Sequence, residues 1–520
     1  MIRLTWCAIP CSDLLTRHTI NNQDCPPAQK ANGENSKEAS SLRKRAMRGS
    51  AWTIAGYLIN NFLRLGSNLV LAYALFPEAF AIVAYASIAL QGLEMFSDIG
   101  IGPAIVQSPR GSDPIFLNTA WTLQIIRGLL LFTATFLLGF PVAWFYNEPS
   151  LAWVIPVTGL NFVINGLQST SVHTCSRAIN LSRLTIWGLI EAILKAAITI
   201  TWALLWPSVW ALIGGALISY TVGMFLTHTI LPGIRNRLCW ERKAVQSILR
   251  FGGWVFLSTM MTFLANQADR LILGKLVPMG VVGVYGIALM FARLPYDIGS
   301  RLAGSVLFPV LASIIQEDRS SFHRKFLKSR DLILAISQFG IVTVIIASPW
   351  FFNFVYDPRY KDASFLAPLL GGVVWFSILQ SSADRALLAL GDTHILAISN
   401  FCNLVFSTSG CLAGYYLAGM KGFVAGIALG NLAGHSVVSW ALGKRNLSII
   451  AQDLRYTVLI AMAFFLGTIP SLAISGLSIQ WSLLFAAIGL TASAIVAYQH
   501  VMPLVAGPIQ NFFHKIGQKV

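Results

Sequence analysis

The chain has 520 residues, of which 55% are hydrophobic and only 11% are charged. Soluble proteins carry about 25% charged residues, and a soluble domain needs polar surface to cover its core. The composition therefore excludes a soluble enzyme, a secreted disulfide scaffold and a disordered chain. It predicts a polytopic membrane protein, for which a formal net charge of +16 reflects topology rather than nucleic-acid binding.

Residues 1–46 differ from the rest of the chain. The stretch 21–41 is rich in Asn, Gln, Pro, Lys, Glu and Ser and has no apolar periodicity, which is typical of disorder. A basic run at 42–48 then leads into the first apolar stretch. We therefore expect a disordered cytoplasmic tail and no cleaved signal peptide.

Fourteen apolar stretches follow the tail. Each is about long enough to cross a hydrocarbon core near 30 Å thick as a helix, and in lipid only a helix or a closed barrel satisfies its backbone. We expect an all-α membrane protein with about 14 transmembrane helices. They are predicted at 52–76, 79–100, 119–140, 151–172, 185–206, 209–231, 251–276, 279–300, 332–355, 364–384, 395–417, 422–442, 456–476 and 481–502.

Outside the tail and the spans, most Lys and Arg residues lie in the connections on the tail side, including those from Arg319 to Arg330. The opposite connections hold only Lys275, Arg359, Lys361 and Lys421. Since basic loops stay in the cytoplasm, both termini are predicted to be cytoplasmic.

An internal repeat divides the chain. Trp52, Pro77 and the run 98–100 (Asp-Ile-Gly) recur as Trp254, Pro278 and the run 297–299. The common offset predicts two like-oriented six-helix bundles around a central cleft, with two further helices. The expected units are the tail 1–46, bundles at 47–250 and 251–445, and an appendage at 446–520.

Four motifs carry a resemblance to a known family. The chain, from about residue 45 to 450, resembles the polysaccharide and O-antigen flippases of the multidrug/oligosaccharidyl-lipid/polysaccharide exporter superfamily. The Asn-Gln-x-Asp-Arg segment with its downstream Gly-x-Tyr is the most specific part. The motifs are Phe-Gly-Gly-Trp at 251–254, Asn-Gln-Ala-Asp-Arg-Leu-Ile-Leu-Gly at 266–274, Val-Gly-Val-Tyr at 282–285 and Leu-Phe-Pro at 307–309.

The resemblance implies a flippase that moves undecaprenyl-pyrophosphate-linked oligosaccharide across the bacterial inner membrane by alternating access. Such a protein would serve lipopolysaccharide, exopolysaccharide or capsule synthesis. Its expected partners are the lipid-linked oligosaccharide, membrane lipids, and a polysaccharide polymerase and chain-length proteins of the same pathway. No cofactor, metal site or nucleic-acid partner is predicted.

Arginines inside the spans are the candidates for binding the pyrophosphate. A charged side chain at bilayer depth costs at least about 2.5–3.5 kcal/mol, so it normally faces a bundle interior or water. A guanidinium binds phosphate oxygens with a fork of N–H donors. The predicted contacts are Arg64, Arg127 and Arg270, although pairing of the first two with Glu94 or Asp98 remains open.

Amides and one tyrosine are the candidates for binding the sugar. Those of span 1 lie three or four residues apart, and span 7 has a similar stripe, so we expect the two stripes to face each other across the cleft. Interhelical hydrogen bonding is the alternative for each. The candidates are Tyr57, Asn60, Asn61, Asn68, Gln124, Asn266 and Gln267.

Carboxylates within spans are candidates for coupling to a proton or sodium ion: Glu94, Glu191 and Asp269. Two charged pairs four residues apart are expected to neutralise themselves on their own helices. These structural pairs are Glu191 with Lys195 and Arg293 with Asp297.

Phosphate-loop, zinc-protease and serine-hydrolase motifs are missing from the sequence, and the outer connections are too short for a catalytic domain. An enzyme is therefore not expected. Two alternatives remain: a cation-coupled multidrug exporter of the same superfamily, whose drugs Arg64 would repel, and a non-transporting scaffold of polysaccharide assembly.

Overall fold

The computed structural model describes residues 52–53, 55–97, 100–178, 180–252, 255–307, 311, 322–473 and 487–499. Regular structure in these ranges is helical throughout. The predicted tail, Trp254, Asp98, Ile99 and the side chain of Asn266 lie outside the described residues.

The described ranges contain these helices, in chain order. The bounds are α1 55–74, α2 Pro77–Phe96, α3 Ile101–Gln107, α4 Pro114–Tyr146, α5 Leu151–Leu167, α6 Ser171–Arg177, α7 Leu181–Leu205, α8 Val209–Thr229, α9 Arg242–Gly252, α10 Val255–Leu276, α11 Met279–Leu302, α12 Phe322–Trp350, α13 Ala363–Ala389, the run Thr393–Gly443, α16 Ile450–Ala473 and α17 Ala487–Gln499. Because the run Thr393–Gly443 has non-helical dihedral angles at Ala418 and Gly419, we name its parts α14 (393–417) and α15 (420–443).

Helices lie, in whole or in part, at every predicted span. Eight of them, within the described ranges, are long and apolar enough to cross a membrane, or nine if the bent pair α5 and α6 is one span. The run containing α14 and α15 is counted once among the eight, although two spans were predicted there. The all-α membrane architecture is confirmed, and the number fourteen stays a prediction.

Prolines begin the two helices that the repeat makes equivalent. Pro77 occupies the first turn of α2, and Pro278 is the N-cap of α11. Proline suits this position because the first helical N–H groups have no partner in the helix. The two copies of the Asp-Ile-Gly run differ in conformation. Gly100 has a φ of 66° at the turn before α3, whereas Gly299 lies within α11.

The two sides of the molecule meet where α2 packs against α10 and α11. One continuous core joins Tyr85 of α2, Leu273 of α10 and Tyr285 of α11 to helices further along the chain. The approach is close at Gly283, where an added methyl group would overlap the carbonyl oxygen of Pro77. Burial of this interface fixes α2 between the repeats.

The predicted inner connection before span 9 is partly helical, which corrects the placement of Arg330 in a loop. Residues 322–331 belong to α12, and Arg330 is fully buried. Its guanidinium donates to Asp453 Oδ1 at 2.6 Å and to Ser382 Oγ at 3.0 Å. The other oxygen of Asp453 lies 2.9 Å from Nε2 of His435. Helix α16 is thereby held against α12, α13 and α15.

We predict that Arg330→Met lowers the stability of the purified protein by about 3–5 kcal/mol, because it leaves the Asp453 carboxylate buried without its cation. Arg324→Met is the matched control, since Arg324 is exposed on the same helix. Thermal unfolding in detergent, followed by tryptophan fluorescence, measures the difference. Equal midpoints for the two variants would contradict this role.

Candidate functional site

Helix α1 presents a polar stripe to α11. Tyr57, Asn61, Arg64 and Asn68 recur at three- and four-residue intervals, so they share one face. Near one end of the stripe the guanidinium of Arg301 lies 3.8 Å from the centre of the Tyr57 ring. At the other end the amide of Asn68 donates to the sulfur of Met290 at 2.9 Å. Both contacts are with residues of α11.

Arg64 lies between these two contacts and is nevertheless exposed. Its guanidinium donates to Asn61 Oδ1 at 2.9 Å, and Asn61 in turn donates to the carbonyl of Tyr57 at 2.9 Å. We name the exposed part of the stripe around Arg64, between the two contacts with α11, the Arg64 gap; Asn60, one turn before Arg64, is exposed as well.

Helix α10 packs against α2 and against the run Thr393–Gly443. Nε2 of Gln267 donates to Oε1 of Gln91 at 2.6 Å, while the hydroxyl of Tyr85 donates to the carbonyl of Arg270 at 3.0 Å. The contacts are therefore crossed: α1 contacts α11 and α10 contacts α2, and the predicted repeat makes α1 equivalent to α10 and α2 to α11. Because the side chain of Asn266 lies outside the described residues, the expectation that the stripes of α1 and α10 face each other across the cleft stays a prediction.

Two predicted ligands instead cap helices. Arg127 of α4 donates to the carbonyls of Ser97 at 3.1 Å and Glu94 at 2.9 Å, at the end of α2. Gln124 donates to the carbonyl of Asn165 at 2.6 Å, near the end of α5. Helix ends carry free carbonyls and partial negative charge, so both side chains have a structural partner. Among the described residues Arg127 forms no ion pair with Glu94, and Asp98 lies outside them.

The predicted pairs on single helices also need correction. Ion pairs join neither Glu191 to Lys195 nor Arg293 to Asp297 within the described residues. The ammonium of Lys195 lies 5.5 Å from the ring centre of Tyr220 on α8. The guanidinium of Arg293 lies 5.5 Å from the ring centre of Tyr296 on the same helix.

Asp269 faces a cavity of about 100 Å³ among α10, α11, α13, α14 and α15. Its Oδ2 accepts a hydrogen bond of 2.7 Å from the hydroxyl of Tyr285. Opposite lie Asn403 and Asn431, joined to each other at 3.0 Å, and Arg293 completes the polar lining. The space suits water or a small ion rather than a sugar.

The sequence analysis did not single out Asn403, Asn431 or Gln91 as candidates. Each is an amide within an apolar span, the same signal that identified Asn61 and Gln267. Their proximity to a carboxylate or to a second amide depends on packing between helices distant in sequence, which one chain's periodicity does not report. Of the three predicted carboxylates, only Asp269 lines this cavity; Glu94 is exposed and Glu191 is half-buried in α7.

The helical membrane fold agrees with the known proteins to which this chain is similar. The polysaccharide biosynthesis protein family matches residues 70–364, more than half of the chain. The chain belongs to this family. It is 24% identical over 445 residues to the lipopolysaccharide biosynthesis protein WzxC of Escherichia coli (strain K12), with 84% of this chain and 88% of that protein covered.

A second relative is the succinoglycan biosynthesis transport protein ExoT of Rhizobium meliloti (strain 1021), 22% identical over 67% of this chain and 74% of that protein. Among solved structures, the lipid II flippase MurJ in an inward closed conformation superposes with a TM-score of 0.68, covering 87% of this chain and 99% of that one at 14% identity. A multidrug resistance MATE transporter in an inward-facing conformation gives 0.58, over 76% and 96% of the two chains, also at 14%. The family member is therefore a multi-pass membrane protein with a transporter fold.

Proposed function

We propose that this family member is a flippase for polyprenyl-pyrophosphate-linked oligosaccharide, moving repeat units across the bacterial inner membrane for surface polysaccharide synthesis. The Arg64 gap carries this proposal, because it places an exposed guanidinium near the middle of a predicted span and between the two repeats. The names of the polysaccharide relatives support the substrate class. The chain thus acts as a transporter rather than an enzyme.

Arg64 is suited to the pyrophosphate group of such a substrate. A guanidinium carries five N–H donors and stays charged at any physiological pH, and Arg64 gives one hydrogen bond to Asn61. A contact between unit charges at 4 Å is worth about 4 kcal/mol at an effective dielectric near 20. An inside-negative potential favours outward movement of negative charge by about 2.3 kcal/mol per charge per 100 mV.

The other predicted ligands have different proposed roles, which depend on the residues that they contact. Asn60, Asn68 and Tyr57 border the Arg64 gap and are proposed to contact sugar, as is Gln267 from the α2 side; Asn266 stays a prediction. Arg270 is half-buried and is proposed as a second phosphate contact. Arg127 and Gln124 contribute mainly by holding the helix ends that shape the passage.

The topology follows the distribution of basic residues. We propose cytoplasmic termini, a tail at 1–46, bundles at 47–250 and 251–445, and additional helices at 446–520. With this orientation, the end where α1 stops and α2 begins faces outward. A polymerase and chain-length proteins remain proposed partners, since they act on the repeat units that a flippase delivers.

We also propose that Asp269 couples transport to a proton or sodium ion. Carboxylate, amide and hydroxyl oxygens surround the cavity that it lines, and oxygen ligands suit hard monovalent cations. The cavity lies within the second bundle and contacts α11, the partner of α1. Binding there is positioned to alter how the bundles meet.

We predict that Arg64→Ala abolishes export while leaving the protein folded in the membrane, because it removes the exposed cation from the gap. Arg64→Lys, which keeps the charge without the fork, should restore part of the export. The measurements are surface polysaccharide and lipid-linked repeat units in a deletion strain that carries each variant.

Arg235→Ala is the control, because Arg235 is likewise an exposed arginine, in the connection after α8. It should export normally. Normal export by Arg64→Ala at wild-type protein levels would remove the basis of the proposal.

We predict that Asp269→Asn makes export independent of the ion gradient and several-fold slower. The amide keeps the size of the side chain but loses the charge that attracts a cation. Export is measured while the proton gradient or the sodium gradient is collapsed separately. Unchanged gradient dependence in Asp269→Asn would assign coupling to another group.

A further inference from the structure

The end of α1 is capped by residues from the other repeat. The last carbonyls of a helix lack partners within it, and here Nη2 of Arg359 donates to the carbonyls of Ala72 at 2.9 Å and Tyr73 at 3.0 Å. The hydroxyl of Tyr360 donates to the carbonyl of Leu75 at 3.3 Å. The segment between α12 and α13 therefore supplies the C-cap of a helix almost 300 residues earlier.

Arg359 is held in place by its own segment. Its Nε donates to Asp357 Oδ1 at 2.8 Å and its Nη2 to Oδ2 at 3.1 Å, while Asp357 also caps the short turn Pro358–Tyr360. The guanidinium lowers the pKa of Asp357 from its ordinary value through these hydrogen bonds, so the carboxylate stays ionised. The guanidinium also lies 4.7 Å from the ring centre of Phe76, between α1 and α2.

Aromatic side chains join the same segment to both α1 and α2. Tyr356 and Tyr360 are 3% and 0% exposed, and the Tyr360 ring lies 6.1 Å from that of Phe80 on α2. The hydroxyl of Tyr356 donates to the carbonyl of Asn68 at 3.2 Å. The hydroxyl of Tyr73 donates in the opposite direction, to the carbonyl of Val355 at 2.6 Å.

We propose that residues 351–360 form a latch that closes the passage at the end where α1 stops and α2 begins, and that Arg359 must leave the α1 carbonyls before this end can open. The latch rests on the proposed alternating access between the repeats. With the proposed topology it is the outer gate, so its release governs delivery of the substrate to the outer leaflet.

The contacts have the chemistry that a reversible gate needs. Each hydrogen bond from Arg359 and Tyr360 to residues 72–75 ends on a backbone carbonyl, which can accept a hydrogen bond from water instead when the end opens. All of these contacts join one short segment of the second repeat to α1, α2 and their connection, so a rigid-body separation of the repeats breaks them together.

The test measures access to Asn68→Cys, directly below the latch, in a variant without the native cysteines. A membrane-impermeant maleimide is applied to right-side-out and to inverted vesicles. We expect Arg359→Met to raise the labelling rate from the outer side at least about tenfold, which corresponds to losing 1.4 kcal/mol of closure. Lys361→Met is the matched control, because Lys361 is an exposed cation two residues away; it should leave the rate unchanged.

Equal labelling of Arg359→Met and Lys361→Met, at equal amounts of folded protein, would overturn the latch. A cleavable bifunctional maleimide joining Tyr73→Cys to Val355→Cys provides a second measurement. Cross-linking should suppress labelling at position 68 even with Arg359→Met, and cleavage of the cross-link should restore the labelling. A labelling rate that is unchanged by the cross-link would also overturn the proposal. Labelling needs no substrate, so failed export with normal gating would count against the flippase function alone.

Discussion

A charged side chain in a bilayer needs a partner in the protein or contact with water, and this constraint separates the polar residues of the chain into two groups. Arg330 is buried against Asp453, and Arg127 caps α2. Arg64 has a single neighbouring amide and remains exposed between two contacts with α11. The first group holds helices together, whereas the second is where we propose that a polar substrate passes.

The crossed contacts join the two predicted repeats to each other. Helix α1 contacts α11 and α10 contacts α2, so each repeat contributes a helix to both contacts. At the end where α1 stops, Gly283 lets α11 approach the backbone of Pro77, and the proposed latch adds its hydrogen bonds. The proposed passage, held closed at this end and lined by Arg64 further inside, has the arrangement required for alternating access.

Composition and periodicity predicted the helices well, because apolar length decides membrane crossing whatever the partners are. The repeat predicted equivalent starts for α2 and α11, and prolines begin both. Partners were less predictable. Charge counting placed Arg330 in a loop since a basic residue usually ends a span, and the helical interval paired Arg293 with Asp297, whereas Arg293 lies near the ring of Tyr296. Interhelical contacts such as Asn403 with Asn431 depend on packing that no local pattern encodes.

Flipping by the purified protein is the central claim, and reconstitution tests it most directly. Liposomes would contain the polyprenyl-pyrophosphate-linked oligosaccharide of the producing strain, and a membrane-impermeant sugar-oxidising reagent would report the fraction on the outer leaflet over time. We expect wild-type protein to bring the inner-leaflet pool within reach of the reagent, while protein-free liposomes and Arg64→Ala expose only the initial outer-leaflet share. Equal exposure with and without wild-type protein would contradict the account.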